Sequence, residues 1–385
     1  MAADNNNKVL NVPNLRFPEF TDVWKDSNIG KCFDLYSGNT PSRMEKEHFI
    51  GDVNWITSGE LKEHYIGDTK ERISEKAAAD NNLRILPVGT FVMAIYGLEA
   101  EGVRGTCSIT VKTSTISQAC MAFTPKSNVS NEFLYSWYKK HGNKIGIRYA
   151  QGTKQQNLSY DIIEKFPIRY PSIEEQEKLN TFISLLDERI ATQSKIIEQL
   201  QSLIKGIYDK VFADFYDYHT LSVICKIQKG QQVNGEELSE FGEYYVMNGG
   251  IEPSGYYDKY NTMSNTISIS EGGNSCGYIQ FNTVPFWSGG HCYTLQGIST
   301  EYNTHFVYHY LKSKEKEIMA LRIGSGLPNI QKKDLEKFPI PVLSYETQIR
   351  ISDGINKMET KLKQEKNMLS AYQTQKAYLL RNLFI

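Results

Sequence analysis

The 385-residue sequence is short of most features that announce a function. Its six cysteines, Cys32, Cys107, Cys120, Cys225, Cys276 and Cys292, form no CxxC pair, which argues against a disulfide framework and against a zinc ribbon. No window approaches eighteen consecutive apolar residues, and the opening MAADNNNKVLNVPNLRFPEF is polar and has no apolar core of a leader peptide. A cytoplasmic protein is expected. Charge of one sign is missing too: the formal net charge is −1, with fifteen Lys and Arg against thirteen Asp and Glu in residues 28–150 and seven against ten in 219–323. Bulk electrostatics therefore gives no vote for nucleic acid, and any such reading has to rest on organisation and local groups.

Catalytic signatures are equally scarce. There is no GxxxxGK[ST] phosphate loop, no HExxH, no GxSxG, and no NPPY or DPPY run of the kind found in amino-methyltransferases. His305 and His309 stand four apart on a predicted helix but have no acidic or cysteine ligand beside them in sequence. His291 and Cys292 are adjacent, and neighbours on a strand point to opposite faces, so they do not make a nucleophile pair. The glycine-rich runs Gly97–Gly105 and Gly272–Gly277 lack GxGxxG spacing and read as loops. No catalytic, cofactor-binding or metal-ligating residue is expected in this chain.

What the sequence does contain is a long proline-free stretch from Glu174 to Ala213 with an apolar seam at helical spacing: Ile183, Leu186, Ile190, Gln193, Ile197, Leu200, Ile204, Ile207 and Val211. About forty residues at about 1.5 Å each reach roughly 60 Å, too far for one globular core to cover, so a partner helix is required. The chain supplies it. Gly152–Phe212 recurs as Gly324–Phe384 at a constant offset of 172 residues, with identities at Gly152/Gly324, Asn157/Asn329, the EKFPI run (Glu164–Ile168 and Glu336–Ile340), Ser172/Ser344, Glu174/Glu346, Gln176/Gln348 and Phe212/Phe384. The second seam reads Ile355, Met358, Leu362, Glu365, Leu369, Tyr372, Lys376, Leu379 and Leu383, which sets Gln193 opposite Glu365.

Ahead of each helix the signals are short strands, glycine punctuation and one helix, NEFLYSWYKKH in the first half and THFVYHYLKSK in the second. NIGKCFDLYSGNTPS is answered by HTLSVICKIQKGQQV, with Gly230 opposite Gly38 at an offset of 192. The expected fold is α+β: two mixed α/β domains separated by two long antiparallel coiled-coil helices, an internal repeat about a pseudo-twofold axis. The expected boundaries are an N-terminal arm at 1–27, a first domain at 28–170, a central spacer helix at 171–218, a second domain at 219–343 and a distal spacer helix at 344–385. Within the arm, Phe17, Phe20 and Trp24 are expected to dock on the body. Two related surfaces at a fixed spacing suit the helical repeat of duplex DNA, about 34–36 Å.

Candidate DNA contacts are the polar residues of the two matched joints, Arg148, Gln151, Thr153, Lys154, Gln155 and Gln156 in the first and Arg322, Ser325, Gln331, Lys332 and Lys333 in the second, with Lys229, Gln231, Gln232 and Asn274 inside the second domain. Gln and Asn pair bidentately with adenine, and Arg or Lys reads guanine or holds phosphate. Gly152, Gly324, Asn157 and Asn329 read instead as a shared structural turn. Lys31, Arg43, Lys62, Arg72, Arg84 and Arg104 in the first domain and Lys226 in the second belong with Lys229, Gln231, Gln232 and Asn274, a group that ranks below the joints.

The opening PNLRFPEFTDVWK, the domain start NIGKCFDLYSGNTPS and the paired segments GTKQQNLSYDIIEKFPIRYPSIEEQEKLNTFISLLDERI and GSGLPNIQKKDLEKFPIPVLSYETQIRI resemble the specificity subunit of type I restriction-modification systems, the HsdS family, over nearly the whole chain. The resemblance implies two target recognition domains reading the halves of a split double-stranded DNA sequence, held apart by antiparallel spacer helices. It implies that S-adenosylmethionine chemistry belongs to two modification (HsdM) subunits, and that ATP- and Mg-dependent translocation and cleavage belong to restriction (HsdR) subunits, this chain being no enzyme. Short tandem repeats that some members carry in the central helix are not visible in DERIATQSKIIEQLQ, and base-reading residues do not transfer between members. A recognition subunit of a smaller combined nuclease-methyltransferase system, and a coiled-coil adaptor that binds only proteins, are the alternative readings.

Overall fold

The computed structural model describes residues 11–98, 103–152, 156–324, 326 and 328–385. The chain divides into two compact units, Met1–Thr192 with Leu369–Ile385, and Gln193–Met368. Each is built on an antiparallel sheet with the same strand order. In the first unit the order is Phe33–Ser37, Cys120–Pro125, Phe91–Ala94 and Cys107–Thr110, with Tyr65–Ile66 added in parallel at the edge. The second unit repeats it as Lys226–Lys229, Cys292–Gln296, Thr266–Ser270 and Ile279–Asn282. Even the register is kept. Leu35, Phe123 and Phe91 stand in one row across the first sheet, and Ile227, Leu295 and Ile267 in one row across the second.

A helix covers each sheet, Asn131–Tyr149 in the first unit and Thr304–Ser313 in the second. Phe133, Leu134, Trp137 and Tyr138 are buried with the sheet residues Phe91 and Phe123, and Phe306, Val307, Tyr310 and Leu311 do the same over Ile267 and Leu295. Both helices start on a side-chain cap, Ser130 accepting from the Phe133 N–H and Asn303 from that of Phe306. The domain-start segments depart from a simple strand: Ile29–Cys32 and Leu221–Ile224 are single helical turns that lead into Phe33–Ser37 and Lys226–Lys229. The arm docks. Trp24 is buried in the first core, and its indole N–H and the Arg16 guanidinium both donate to the buried Glu175 carboxylate, at 3.3 Å and at 2.8 and 2.6 Å.

The EKFPI runs close each sheet domain onto its long helix. Pro167–Tyr170 pairs antiparallel with Lys25–Asn28, and Pro339–Pro341 with Tyr218–Thr220. Phe166 and Phe338 and then Ile168 and Ile340 are buried, while the prolines, which have no N–H to give a ladder, stay exposed. A few residues on, Gln176 and Gln348 are fully buried and each makes the same three hydrogen bonds. Gln176 accepts from Ser130 N at 2.9 Å and donates to Asn128 O and Pro171 O; Gln348 accepts from Asn303 N at 2.8 Å and donates to Glu301 O and Leu343 O. These amides tie the first turn of a long helix to the cap of the helix on the sheet. Replacing either with alanine strands three backbone groups and is expected to cost about 3 kcal/mol. An urea titration that shows a change no larger than that of a surface substitution would remove this role.

The two long helices run Ile173–Val211 and Tyr345–Leu383. In each unit their segments are antiparallel. In the first unit Lys376 pairs with Asp187, the Arg189 guanidinium lies 4.7 Å from the Tyr372 ring centre, and Leu379 and Leu383 pack in the core that holds Leu179 and Ile183. In the second unit Gln193 donates to the Glu365 carboxylate and, at 3.2 Å, to its backbone carbonyl; the Tyr208 hydroxyl donates to Glu359 at 3.0 Å. Ile207 and Val211 pack there with Ile355 and Met358. Ile183, Ile197, Ile204 and Ile355 are buried, and Leu186, Ile190, Leu200, Ile207, Met358, Leu362, Leu369 and Leu379 are half-buried, between exposed neighbours. No helix among the described residues is long and apolar enough to cross a membrane.

Candidate nucleic-acid interface

The two joints before the long helices fold alike. Gly152 and Gly324 take positive φ, 115° and 101°, where a side chain is strained. Gln151 and Asn157 exchange a reciprocal pair of backbone hydrogen bonds, at 2.9 and 2.8 Å, and so do Ile323 and Asn329, at 2.9 and 3.0 Å. Each loop is thereby pinched at its base, and its second strand is stitched to the end of a sheet strand through Tyr96–Asn157 and Gly272–Asn329 bridges. The shared glycine and asparagine are thus turn residues.

The candidate contact residues sit in and around these loops. Arg148 is exposed, its guanidinium 5.4 Å from the Tyr149 ring. Gln156 is half-buried, and its carbonyl accepts from Leu98. Thr153, Lys154, Gln155, Ser325 and the middle of the Gly97–Gly105 run lie outside the described residues. Lys332 opens the short helix Lys332–Glu336 and pairs with Glu336 at 3.6 Å, while Lys333 is exposed beside it. Gln231 and Gln232 follow Gly230; the Gln231 backbone bonds to Ser288 O and to the Trp287 indole, and the Gln232 amide donates to Val233 O.

Two of these residues, Lys229 and Asn274, share a cavity. It is a cleft of about 560 Å³ in the second unit, walled by glycine backbone at 249, 250, 272 and 273 and bordered by Asn248, Glu271, His291 and Asn329. Lys229 is not a free cation there: its Nζ donates to Glu271 Oε1 at 2.5 Å, and the same oxygen accepts from the Tyr293 hydroxyl at 3.2 Å. Burial and the Glu271 charge push the Tyr293 hydroxyl up to about 12, so it stays a donor. Sequence reading missed Glu271, Asn248 and the rim position of His291. Lys229 and Glu271 are 42 residues apart, and only the sheet brings them together.

The other pairs singled out in the sequence are set apart. His291 is exposed at the rim while Cys292 is 2% exposed on the other side of the strand, its thiol pushed up to about 11 by burial. His309 is buried between Tyr208 and Asn356, which meet its two ring nitrogens at 2.7 and 2.8 Å, and His305 lies on the Phe281 ring. Among the described residues no three His, Cys, Asp or Glu cluster as a metal site.

Comparison with known proteins follows the same outline. The family model described as the type I restriction modification DNA specificity domain matches twice, over residues 21–202 and 216–370. The MjaIX specificity subunit of a type I restriction enzyme from Methanocaldococcus jannaschii is 25% identical over 366 residues, covering 83% of this chain and 82% of that one. The crystal structure of the type I restriction-modification system S subunit from M. genitalium superposes with a TM-score of 0.68 at 21% identity, over 97% of this chain and 99% of the other. A chain solved in work on complex assembly and conformational transition of the type I R-M system gives a TM-score of 0.59 at 14% identity, over 93% and 96%. With tandem matches that fall on the two sheet domains and their helices, this chain belongs to the type I restriction modification DNA specificity family, as a specificity subunit.

Proposed function

We propose that residues 28–150 and 219–323 each bind one half of a split duplex DNA sequence, and that the two long helices fix the spacing of the halves and dock the partner subunits. The observation that carries this reading is the duplication itself. Two sheets with one strand order and one register differ in the loops and side chains at their ends, as expected of two readers on a common frame. Sequence-specific contacts add to modest phosphate attraction, so a chain of net charge −1 can serve while partner subunits supply positive charge. Methyl transfer from S-adenosylmethionine falls to two modification subunits, and ATP- and Mg-dependent translocation and cleavage to restriction subunits; this chain recognises and does not catalyse.

Exchanging residues 28–150 for those of a relative with a different target, in complex with the modification subunits, is expected to change one half-site and leave the other and the gap between them intact. Mapping methylated positions by long-read sequencing checks this, and a motif that followed the helices would reverse the division of labour. Docking has its own test. Leu185 and Leu203 are more than half exposed on the first long helix, away from its seam. Leu185→Asp and Leu203→Asp are expected to weaken co-purification of the modification subunit at least tenfold with the fold unchanged by circular dichroism.

A further inference from the structure

The duplicated fold provides an internal control for the cleft of the second unit. Backbone hydrogen bonds fix the equivalences: Ile95 N donates to Ala119 O and Leu158 N to Ile95 O, just as Glu271 N donates to His291 O and Ile330 N to Glu271 O. In the sheet, Ser37 pairs with Met121 where Lys229 pairs with Tyr293. The first unit therefore places Ser37, Ile95, Ala119 and Met121 where the second places Lys229, Glu271, His291 and Tyr293. Ile95 and Met121 are buried apolar residues. The frame does not need a carboxylate at this position.

A buried carboxylate is costly unless both oxygens are satisfied, and this one is half satisfied. Glu271 is 9% exposed. Its Oε1 has Lys229 and Tyr293, but its Oε2 is buried with no hydrogen-bond partner among the described residues. The nearest candidate, His291 Nδ1, stands 3.5 Å away on a largely exposed side chain, too long for a good bond. Glycine backbone on the walls lets a planar group approach closely, and Lys229, whose Nζ has two further hydrogens, and Asn274 line the same opening.

We propose that Glu271 is a base-reading residue of the second domain, accepting at Oε2 from the exocyclic amino group of a cytosine or an adenine, with Lys229 holding the carboxylate in place. An ionised carboxylate accepts and cannot donate, so it selects the amino-bearing bases against guanine O6 and thymine O4 in the major groove. The exposed His291 side chain turns aside to admit the base edge. This deepens the function proposed above and rests on it.

The test uses the chain in complex with its modification subunits. The wild-type complex first gives the split methylation motif. Duplexes are then made in which each adenine of the half-site read by the second domain is replaced by purine, and each cytosine by 2-pyrimidinone, so that one amino group at a time is deleted. One position is expected to lose roughly ten- to hundred-fold in affinity. In Glu271→Gln, Lys229 and Tyr293 keep the amide oxygen at the Oε1 position and turn an NH₂ donor to the cleft. That position is then expected to relax towards guanine or thymine while the other half-site stays as it was, and deleting its amino group costs the variant nothing further. If no amino deletion weakens wild-type binding, or if Glu271→Gln leaves the motif unchanged, Glu271 reads no base although the domain still reads DNA. A wild-type complex that yields no split motif would overturn the parent reading and this one with it.

Discussion

Alanine at Gly38 or at Gly230 is expected to destabilise its unit by about 3 kcal/mol or more and to blunt recognition by that domain alone. Neither glycine has a positive φ, so conformational freedom is not the reason. Each ends the first strand of its sheet and donates its N–H to the cysteine that begins the neighbouring strand, Gly38 to Cys120 O at 3.4 Å and Gly230 to Cys292 O at 2.8 Å. A Cβ at Gly38 would lie well under 3.0 Å from the carbonyl oxygens of Ile116 and Ser117, and one at Gly230 equally close to those of Gly289 and Ser288. These are backbone atoms of a crossing segment and cannot rotate away. The strand end has to move, which breaks the adjoining bonds from Asn39 N to Ile116 O or from Gln231 N to Ser288 O. Overpacking of this kind costs about 1–3 kcal/mol before the lost bonds are counted. In the second unit the displaced residues are neighbours of Lys229 and of the glutamines that follow it, so Gly230→Ala is also expected to weaken DNA binding by the second domain. Melting and half-site binding measured together check this; a Gly230→Ala chain with wild-type melting would mean that the two backbones are not locked here.

Sequence reading went furthest where the repeat holds a single offset. From Gly152 to Phe212 every residue has its counterpart 172 positions on, so the seam, the matched EKFPI runs and the Gln193–Glu365 juxtaposition could be written down without coordinates. Gln176 and Gln348 were visible as identities, but not as clamps, because their partners are backbone groups of a different helix. In the sheet domains the offset changes along the chain: Gly38 matches Gly230 at 192, Ile95 matches Glu271 at 176 and Ala119 matches His291 at 172. Insertions of different length fall in the intervening loops, so no one-dimensional alignment holds, and only the hydrogen-bond ladder restores the match. The same slippage hid the cleft. The sequence offers Lys229 as a candidate DNA contact and nothing more, whereas its chemistry is set by a carboxylate that reaches it from another strand of the sheet. Spacing along a chain reports periodicity within one element; which side chains meet across a sheet depends on the crossovers, and those carry no period.

The polar residues of the seam are expected to respond to leucine in opposite directions. Gln193→Leu with Glu365→Leu removes a mutually satisfied pair from between the helices of the second unit and puts two apolar side chains in its place. A gain in melting temperature is expected, as when a polar pair between helices is exchanged for packed hydrocarbon. Lys361 and then Gln193 hold the Glu365 carboxyl below its ordinary value, so its contribution is whole at neutral pH and is lost as the pH falls through the carboxylate range; the double variant should lose that acid sensitivity. Lys376→Leu alone behaves otherwise. Its partner Asp187 is half-buried, and among the described residues Asp187 Oδ2 already lacks a hydrogen bond, so the variant leaves a carboxylate without its ion pair in the seam of the first unit. Breaking a buried pair from one side costs about 3–5 kcal/mol, and the partial exposure here brings the expected loss to about 2 kcal/mol. Adding Asp187→Leu should recover it and more. Replacing all three of Gln193, Glu365 and Lys376 with leucine, which the seam pattern alone marks as stabilising, is therefore expected to give less than the Gln193–Glu365 double variant. The gain would come with looser register, because an apolar seam no longer distinguishes one helical offset from the next. Thermal melts of the single, double and triple variants, read beside the distance between methylated half-sites, test both parts: equal melting for Lys376→Leu and wild type would show that the Lys376 pair does not bear on stability, and an unchanged half-site gap in the fully apolar seam would show that these residues do not set alignment.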